Sequence, residues 1–340
     1  MEKQQAIDIL DQNGKMRFGR YNQPAKSIDL INADVYTGKT TPKLFKDLRL
    51  KEWHAYQAGN EKWFIFVAIM NLKTASAFQV LVYDKQYNAL HRFSKIRPLH
   101  RVDLSKNLLN DSVFFSDEEL LIAIDHGLEF DRIQLSVKVK GNKNRPPIAF
   151  NFNAHARGHQ PEVNVIPLPN NCGMYAHKQL MPMDGVMTIG ERVVRFKKED
   201  SFVIVDDQKA FYPYHMKWNW VTGAGFTDGK LSGFNLTVND STEPDKYNEN
   251  GFWVEGKFYP LPAVQFTVNQ KNVWRIMDRD GDVDLHFHPL TENERHENWV
   301  LARTDYSGPF GYYEGILISG DKELIVNGLF GMGEKMSIHG

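Results

Sequence analysis

The apolar runs of this chain are short, and their length limits what it can fold into. Trp63-Phe64-Ile65-Phe66-Val67-Ala68-Ile69 is aromatic and β-branched, and Ala77-Phe78-Gln79-Val80-Leu81-Val82-Tyr83 repeats the texture after a mostly polar connection over 71–76. Runs of this length, bounded by polar residues, read as buried strands joined in a hairpin. Residues 133–140 alternate apolar and polar with period two, which gives a strand with one wet and one buried face. Further strands are expected at 202–205, 234–238, 264–268, 283–287, 315–318 and 324–326. Asp228-Gly229, Glu255-Gly256, Asp280-Gly281 and Ser319-Gly320-Asp321 separate them as turn signals. Many short strands at this spacing indicate a sandwich or a barrel. The helix candidates are short, at 3–10 and 42–49. An aromatic share of 12% leans the same way, because aromatics favour strands and ligand-lined cavities.

Domains usually span about 100–200 residues, so a chain of 340 residues implies two. The boundary is expected near 161–185, where Pro161, Pro167, Pro169, Asn170, Asn171, Gly173, Pro182 and Gly185 concentrate strand breakers. Such a stretch is too long for a hairpin loop and reads as a linker or a pocket-lining segment. The division is therefore 1–175 and 176–340. Lys and Arg number 41 against 42 Asp and Glu, for a net charge of -1. That balance offers no basic footprint for nucleic acid and no polybasic membrane anchor. Cys172, the one cysteine, cannot form an internal disulfide, so a reducing compartment is the default. The N-terminus lacks the basic start and apolar run of a signal peptide, and no segment approaches the roughly 20 apolar residues of a spanning helix. A cytoplasmic protein with no transmembrane segment is expected.

The densest chemistry lies at 206–220. Asp206, Asp207, Lys209, His215 and Lys217 are interleaved there with Phe211, Tyr212, Tyr214, Trp218 and Trp220. On a strand Trp218 and Trp220 share one face, and Lys217 and Asn219 the other. A carboxyl group sunk against indole rings has a raised pKa and can act as a general acid. The plain alternative is that the tryptophans are core and the charges solvated. His286 and His288 stand two apart on a strand, but no cysteine and no obvious third carboxylate joins them, so no metal is expected. The carboxylates of 278–284 resemble a calcium loop, yet Gly281 comes too early, and a hairpin with acidic flanks is the better reading. Fingerprints for dinucleotides, for phosphate loops and for a serine nucleophile elbow are absent, and no cofactor is expected.

The C-terminal half resembles the bacterial family catalogued as domain of unknown function 2804. The likeness runs in order through Pro182-Met183-Asp184-Gly185, Tyr212-Pro213-Tyr214, Trp218-Asn219-Trp220, Gly233-Phe234-Asn235-Leu236 and Glu249-Asn250. It continues through Trp274-Arg275-Ile276, the stretch from Val283 to Pro289, Phe310-Gly311-Tyr312-Tyr313-Glu314-Gly315 and Gly333-Glu334. The N-terminal half fits more loosely, through Gly14, Pro24, Trp53 and Trp63. Where the family carries Asp-Trp-x-Arg-Gly, this chain has Asp206-Asp207-Gln208-Lys209-Ala210. A lysine cannot reproduce bidentate arginine contacts. The family's closing Trp after the Glu334 region is also absent. The family is similar, more distantly, to the carotenoid hydratase and lipocalin-like Diels–Alderase group. That likeness implies an all-β fold of two lipocalin-like (calycin-like) antiparallel β-barrel domains with a pocket between or within them. It implies, by analogy, protonation of an alkene by a buried acid, or cyclisation of a polyene.

Two readings follow. In the first, the chain is an enzyme acting on a hydrophobic or amphiphilic small molecule. Asp206 is then the general acid, with Glu249 or Glu334 as the alternative acid. Tyr214, His215 and Asn219 orient water or a polar group, and Tyr212, Trp218, Trp220, Asn250 and Trp274 complete the ligand-binding set. In the second, it is a non-catalytic binding or carrier protein of lipocalin type. A carbohydrate-active protein would need aromatic platforms beside a carboxylate pair at catalytic separation.

Overall fold

The structure, a computed structural model, describes residues 6–36, 41–99, 102–299 and 302–339. It is nearly all β, with 61% strand and 3% helix, arranged as two curled antiparallel half-barrel sheets. The first sheet runs Ala89–Pro98, Ala75–Asp84, Trp63–Asn71, Leu50–Gly59, Phe202–Phe211, Cys172–Ile189, Ile148–His155, Arg132–Val139, Leu120–Gly127, Asp111–Ser116. Glu162–Leu168, itself paired with Gly19–Tyr21, and Arg192–Phe196 attach along Cys172–Ile189. The second runs Lys257–Pro260, Gly251–Val254, Lys230–Val238, His215–Thr227, Lys322–His339, Phe310–Ser319, Val283–Pro289, Trp274–Met277, Gln265–Val268. Ala302–Ser307 joins Lys322–His339 and carries Glu294–Trp299.

The run at 63–69 is continuous rather than alternating because both its faces are covered. Ile65, Val67 and Ile69 enter the core inside the first sheet, with Val80, Val82 and Leu135. Phe64, Phe66 and Ala68 point the other way and meet Trp220, Phe310, Phe330 and Met332 of the second sheet. The Phe64 ring lies edge-on to Phe310 and Phe330, at 4.8 Å and 5.2 Å between centroids. Arg132–Val139, by contrast, buries one face only, as its alternation requires.

The breaker-rich stretch at 161–185 is not a linker. Glu162–Leu168 and Cys172–Ile189 pair as a hairpin, and Asn170 and Asn171 supply the left-handed turn residues between them. Pro182 falls where the long strand changes partners, from Phe202–Phe211 to Ile148–His155, so its missing N–H costs the ladder little. Position 175/176 thus lies inside one strand, and the chain passes from the first sheet to the second at 212–214. The helix expected at 42–49 forms as Lys43–Arg49. The one expected at 3–10 does not. Ile7 and Leu10 are held in isolated bridges to Ala25 and Met16, and residues 3–5 lie outside the described residues. There Ile9 is buried in a core cluster, and long-range packing overrides local preference. The acidic segment at 278–284 is a hairpin turn in which the Asp278 carboxylate accepts backbone N–H groups of Asp280, Gly281 and Val283. Among the described residues no helix is long and apolar enough to cross a membrane.

The Phe64 contacts join the two sheets, so truncating that ring should weaken the whole molecule. Phe64→Ala is expected to lower the unfolding free energy by about 3–5 kcal/mol, read from urea denaturation. A loss under about 1 kcal/mol would show that the interface does not depend on this ring.

Candidate active site

The strand Phe202–Phe211 is buried along its whole length, yet carries Asp206, Asp207, Gln208 and Lys209. Neighbouring side chains on a strand point to opposite faces, so Asp206 and Asp207 face different surroundings. Register places Glu162, Lys178, Asp206 and Ala55 in one row across four adjacent strands. Ala55 packs against Trp220, so this row faces the second sheet. On that sheet Trp220 stands beside Glu334 in register, and Glu249 precedes Gly251–Val254.

These elements gather four carboxyl groups around one ammonium, three of them buried (Glu162, Asp206 and Glu249) and the fourth, Glu334, half-buried. Lys178 Nζ lies 2.7 Å from Asp206 Oδ1 and 3.2 Å from Glu249 Oε2, and sits 5.3 Å from the centre of the Trp220 ring. Trp220 Nε1 donates to Asn235 Oδ1 (2.6 Å), and the Asn235 amide donates to the Glu249 carbonyl. Trp218 Nε1 donates to Glu334 Oε1 at 2.5 Å. Asn164 Nδ2 donates to Glu162 Oε1 at 3.0 Å, while Glu162 Oε2 has no partner among the described residues.

Four carboxylates and one ammonium cannot all be charged in so dry a place. Burial pushes Glu334 up to about 7, against the hydrogen bonds from Trp218 and Tyr306. It pushes Glu162 to about 7 as well, against Arg20 and Asn164. Burial also raises Asp206 and Glu249, but Lys178 opposes it at both. For Lys178 burial acts downward, and Asp206 and Glu249 outweigh it, so its ammonium is held above the ordinary value. Pairs of like groups pushed apart in this way can divide the roles of acid and base.

A cleft of about 480 Å³ opens beside this cluster. Trp218, Asn239 and Tyr306 line it, together with Lys217, Asn219 and Lys335. Three of these also touch the carboxyl groups: Trp218 and Tyr306 bond Glu334, and Asn239 Nδ2 donates to Glu249 Oε1 at 3.2 Å. Trp53, Tyr212 and Trp218 form a stack of nearly parallel rings, with centroids 5.9 to 6.3 Å apart. The buried Tyr212 hydroxyl meets Gln208 Nε2 at 3.1 Å. Burial, then Glu249, Asp206 and Glu334, hold that phenol well above its ordinary pKa.

Of the residues singled out in the sequence, Asp206, Glu249 and Glu334 converge, with Tyr212, Trp218 and Trp220 around them and Asn219 in the cleft. Four others lie apart. Tyr214 is exposed beneath the Arg49 guanidinium, 4.2 Å from its ring centre. His215 is exposed at the start of its strand. Asn250 ties backbone together, accepting from Thr237 N (2.7 Å) and donating to Pro262 O (2.8 Å). Trp274 is buried in the second sheet's own core. A Cβ on Gly333 would strike Trp274 and Phe287, so Glu334, one residue on, faces away from them. Lys178, Glu162, Asn239 and Tyr306 were not singled out. The only signal for Lys178 was a charge in the polar triplet His177-Lys178-Gln179, flanked by Met174-Tyr175-Ala176 and Leu180-Met181.

Lys209 sits on the opposite face, 2.7 Å from Glu52. There too lie His54, His126 and Asp207, whose ligand atoms fall within 4.8 Å of one another. His54 Nε2 accepts the Ser105 backbone N–H (3.2 Å), which leaves its proton on Nδ1, facing Asp207 Oδ1. His126 is held between the hydroxyls of Tyr56 (2.8 Å) and Ser105 (2.7 Å). Burial depresses both imidazoles to about 3. The ring nitrogens of both histidines are engaged in hydrogen bonds, while Asp207 Oδ2 has no partner among the described residues. His288 pairs instead with Glu314, at 2.9 Å on an exposed face. Burial pushes the Cys172 thiol up to about 11, unlike a thiolate nucleophile.

The chain belongs to the family described as a domain of unknown function, DUF2804, whose model matches residues 1–339. No curated protein matches it. Among solved structures it is similar to kievitone hydratase from Nectria haematococca, at 12% identity and a TM-score of 0.44, over 85% of this chain and 88% of that one.

Folded Glu334 keeps its proton up to about 7, against an ordinary 4.5. Between those values the folded state binds the extra proton, so its contribution to stability is full below 4.5 and is lost as pH rises through 7. The slope is about 1.4 kcal/mol per pH unit. Glu334→Gln removes it. The unfolding free energy of the variant minus that of the wild type should therefore climb across this window in a pH series of urea titrations. A flat difference would mean that Glu334 ionises like an exposed glutamate.

Proposed function

We propose that this chain binds an apolar or partly apolar small molecule in the cleft beside Trp218 and protonates it with a buried carboxylic acid, in the manner of a hydratase or cyclase. The observation that carries this reading is the Glu334 carboxyl. It keeps its proton near neutral pH, is held by the Trp218 indole, and stands one side chain behind the cleft. Glu334 gives its proton to one carbon of a double bond, whose π electrons form the new C–H bond. The adjacent carbon becomes cationic, and water adds there through an oxygen lone pair. The surplus proton of that water passes to Asp206 or Glu249, which Lys178 keeps available as carboxylates. In a cyclisation a second double bond takes the place of water. The Trp218 ring, backed by the stacked rings of Trp53 and Tyr212, gives the ligand an apolar wall and can steady a developing cation.

A non-catalytic carrier is the second reading. It is favoured by the absence of all four carboxyl groups from the cleft lining and by the Trp218 indole that stands between Glu334 and the opening.

Native mass spectrometry of the protein from its own host, followed by identification of the bound compound, gives the ligand with which to test both. Glu334→Gln should lower turnover of that compound by about 10²–10⁴-fold while leaving its dissociation constant within a few-fold of wild type. Binding without conversion by the wild type would establish the carrier and remove the acid role.

A further inference from the structure

The proposed chemistry needs one carboxyl group protonated and another ionised within a single buried cluster. The residue placed to enforce that division is Lys178. It lies at the centre of the row Glu162, Lys178, Asp206, Ala55. Its side chain is 3% exposed, and within hydrogen-bond reach it touches two of the four carboxyl groups, Asp206 and Glu249. The other two are held by different donors, Glu334 by the Trp218 indole and Glu162 by the Asn164 amide. The ammonium therefore stabilises charge on one pair and leaves the other to neutral donors.

We propose that Lys178 is the positioning residue that sorts the protons of this site, fixing charge on Asp206 and Glu249 and thereby keeping the mobile protons on Glu334 and Glu162. This rests on the acid–base reading given above. A buried ammonium within 3.2 Å of two carboxylates compensates one of them fully and shares the other. Their residual negative charge, with burial, keeps Glu334 and Glu162 from ionising in turn. Glu162 then has a use of its own. Its unpartnered Oε2 belongs to a second protonated carboxyl in the row and can hold a reserve proton. Arg20 helps to fix this side of the site, since its guanidinium reaches Asn248 Oδ1 (2.6 Å) and Asn164 Oδ1 (3.4 Å). Methionine at position 178 keeps the length and apolar bulk of the stem and removes the charge. Asp206 and Glu249 would then share a buried site with no cation, and at least one must take up a proton.

The test is a titration of carboxyl carbons by NMR in protein labelled at Asp and Glu side chains, comparing wild type, K178M and K178R. Wild type and K178R should show Asp206 ionised at pH 6. K178M should show Asp206 or Glu249 protonated there, its midpoint moved upward by more than one pH unit. Both carboxyl groups remaining ionised at pH 6 in K178M would overturn the proposal, whatever the turnover. If K178M does not fold, K178M/D206N removes both members of the closest pair. Glu249 must then titrate upward, and an unmoved Glu249 overturns the proposal equally. With the co-purified ligand in hand, K178M should lose turnover and retain binding, as E334Q does. Loss in E334Q with none in K178M would remove the sorting role and leave the acid reading intact. Loss in neither would remove the acid reading itself.

Discussion

A strand covered on both faces cannot carry a charged side chain unless its neighbours supply the partner. Phe202–Phe211 is such a strand, and it carries three charged side chains in the space of four residues. Each is met from an adjacent element. Asp206 has Lys178, Asp207 has His54, and Lys209 has Glu52. An unpaired ion at any of these positions would cost several kcal/mol, about the whole margin by which a domain is stable. The identities of residues 52, 54 and 178 are thus tied to those of 206, 207 and 209. Because the strand also sits where the two sheets meet, its pairs divide into two groups. One looks toward the second sheet and the cleft, and one looks into the first sheet.

That division gives a different meaning to the place where the sequence departs from its family. Lys209, where the resemblance implies arginine, lies on the face away from the cleft, in a buried pair with Glu52 that also includes Lys73. Asp206, on the other face of the strand, pairs with Lys178 in the row that faces the second sheet.

Much of the fold was legible because strand burial writes itself into the pattern of residues. The unbroken apolar run at 63–69 reflects two covered faces, and the alternation at 133–140 reflects one. What could not be read was pairing at long range. Pro161, Pro167, Pro169 and Pro182 looked like a linker because a proline's effect depends on where its neighbours stop, and only the fold shows that Pro182 sits at a change of partners. Asp206, Glu249 and Glu334, which the fold brings together, stood out in the sequence because carboxyl groups amid aromatics are unusual. Lys178 and Glu162 did not, because they lie in that same breaker-rich stretch, where no strand was expected. That Trp274 and Asn250 lie apart from the cluster could not be read for a related reason. A tryptophan on a strand reads alike whichever face it occupies, and an asparagine that ties two backbones together reads like one that greets a ligand.

The long strand Lys322–His339 lies in the middle of its sheet, between His215–Thr227 and Phe310–Ser319, and brings Glu334 to the cluster. In a chain made from its N-terminus at about 5–20 residues per second, every other carboxyl of the cluster leaves the ribosome well before this one. The first sheet can close around its own core while the second still lacks its central member. Lys178, Asp206 and Glu162 are then exposed to water, which solvates them without penalty. The dry environment that raises the acids comes into being only with the docking of the last strand. The upward shift of these carboxyl groups and the closing of the two sheets against one another are therefore a single event.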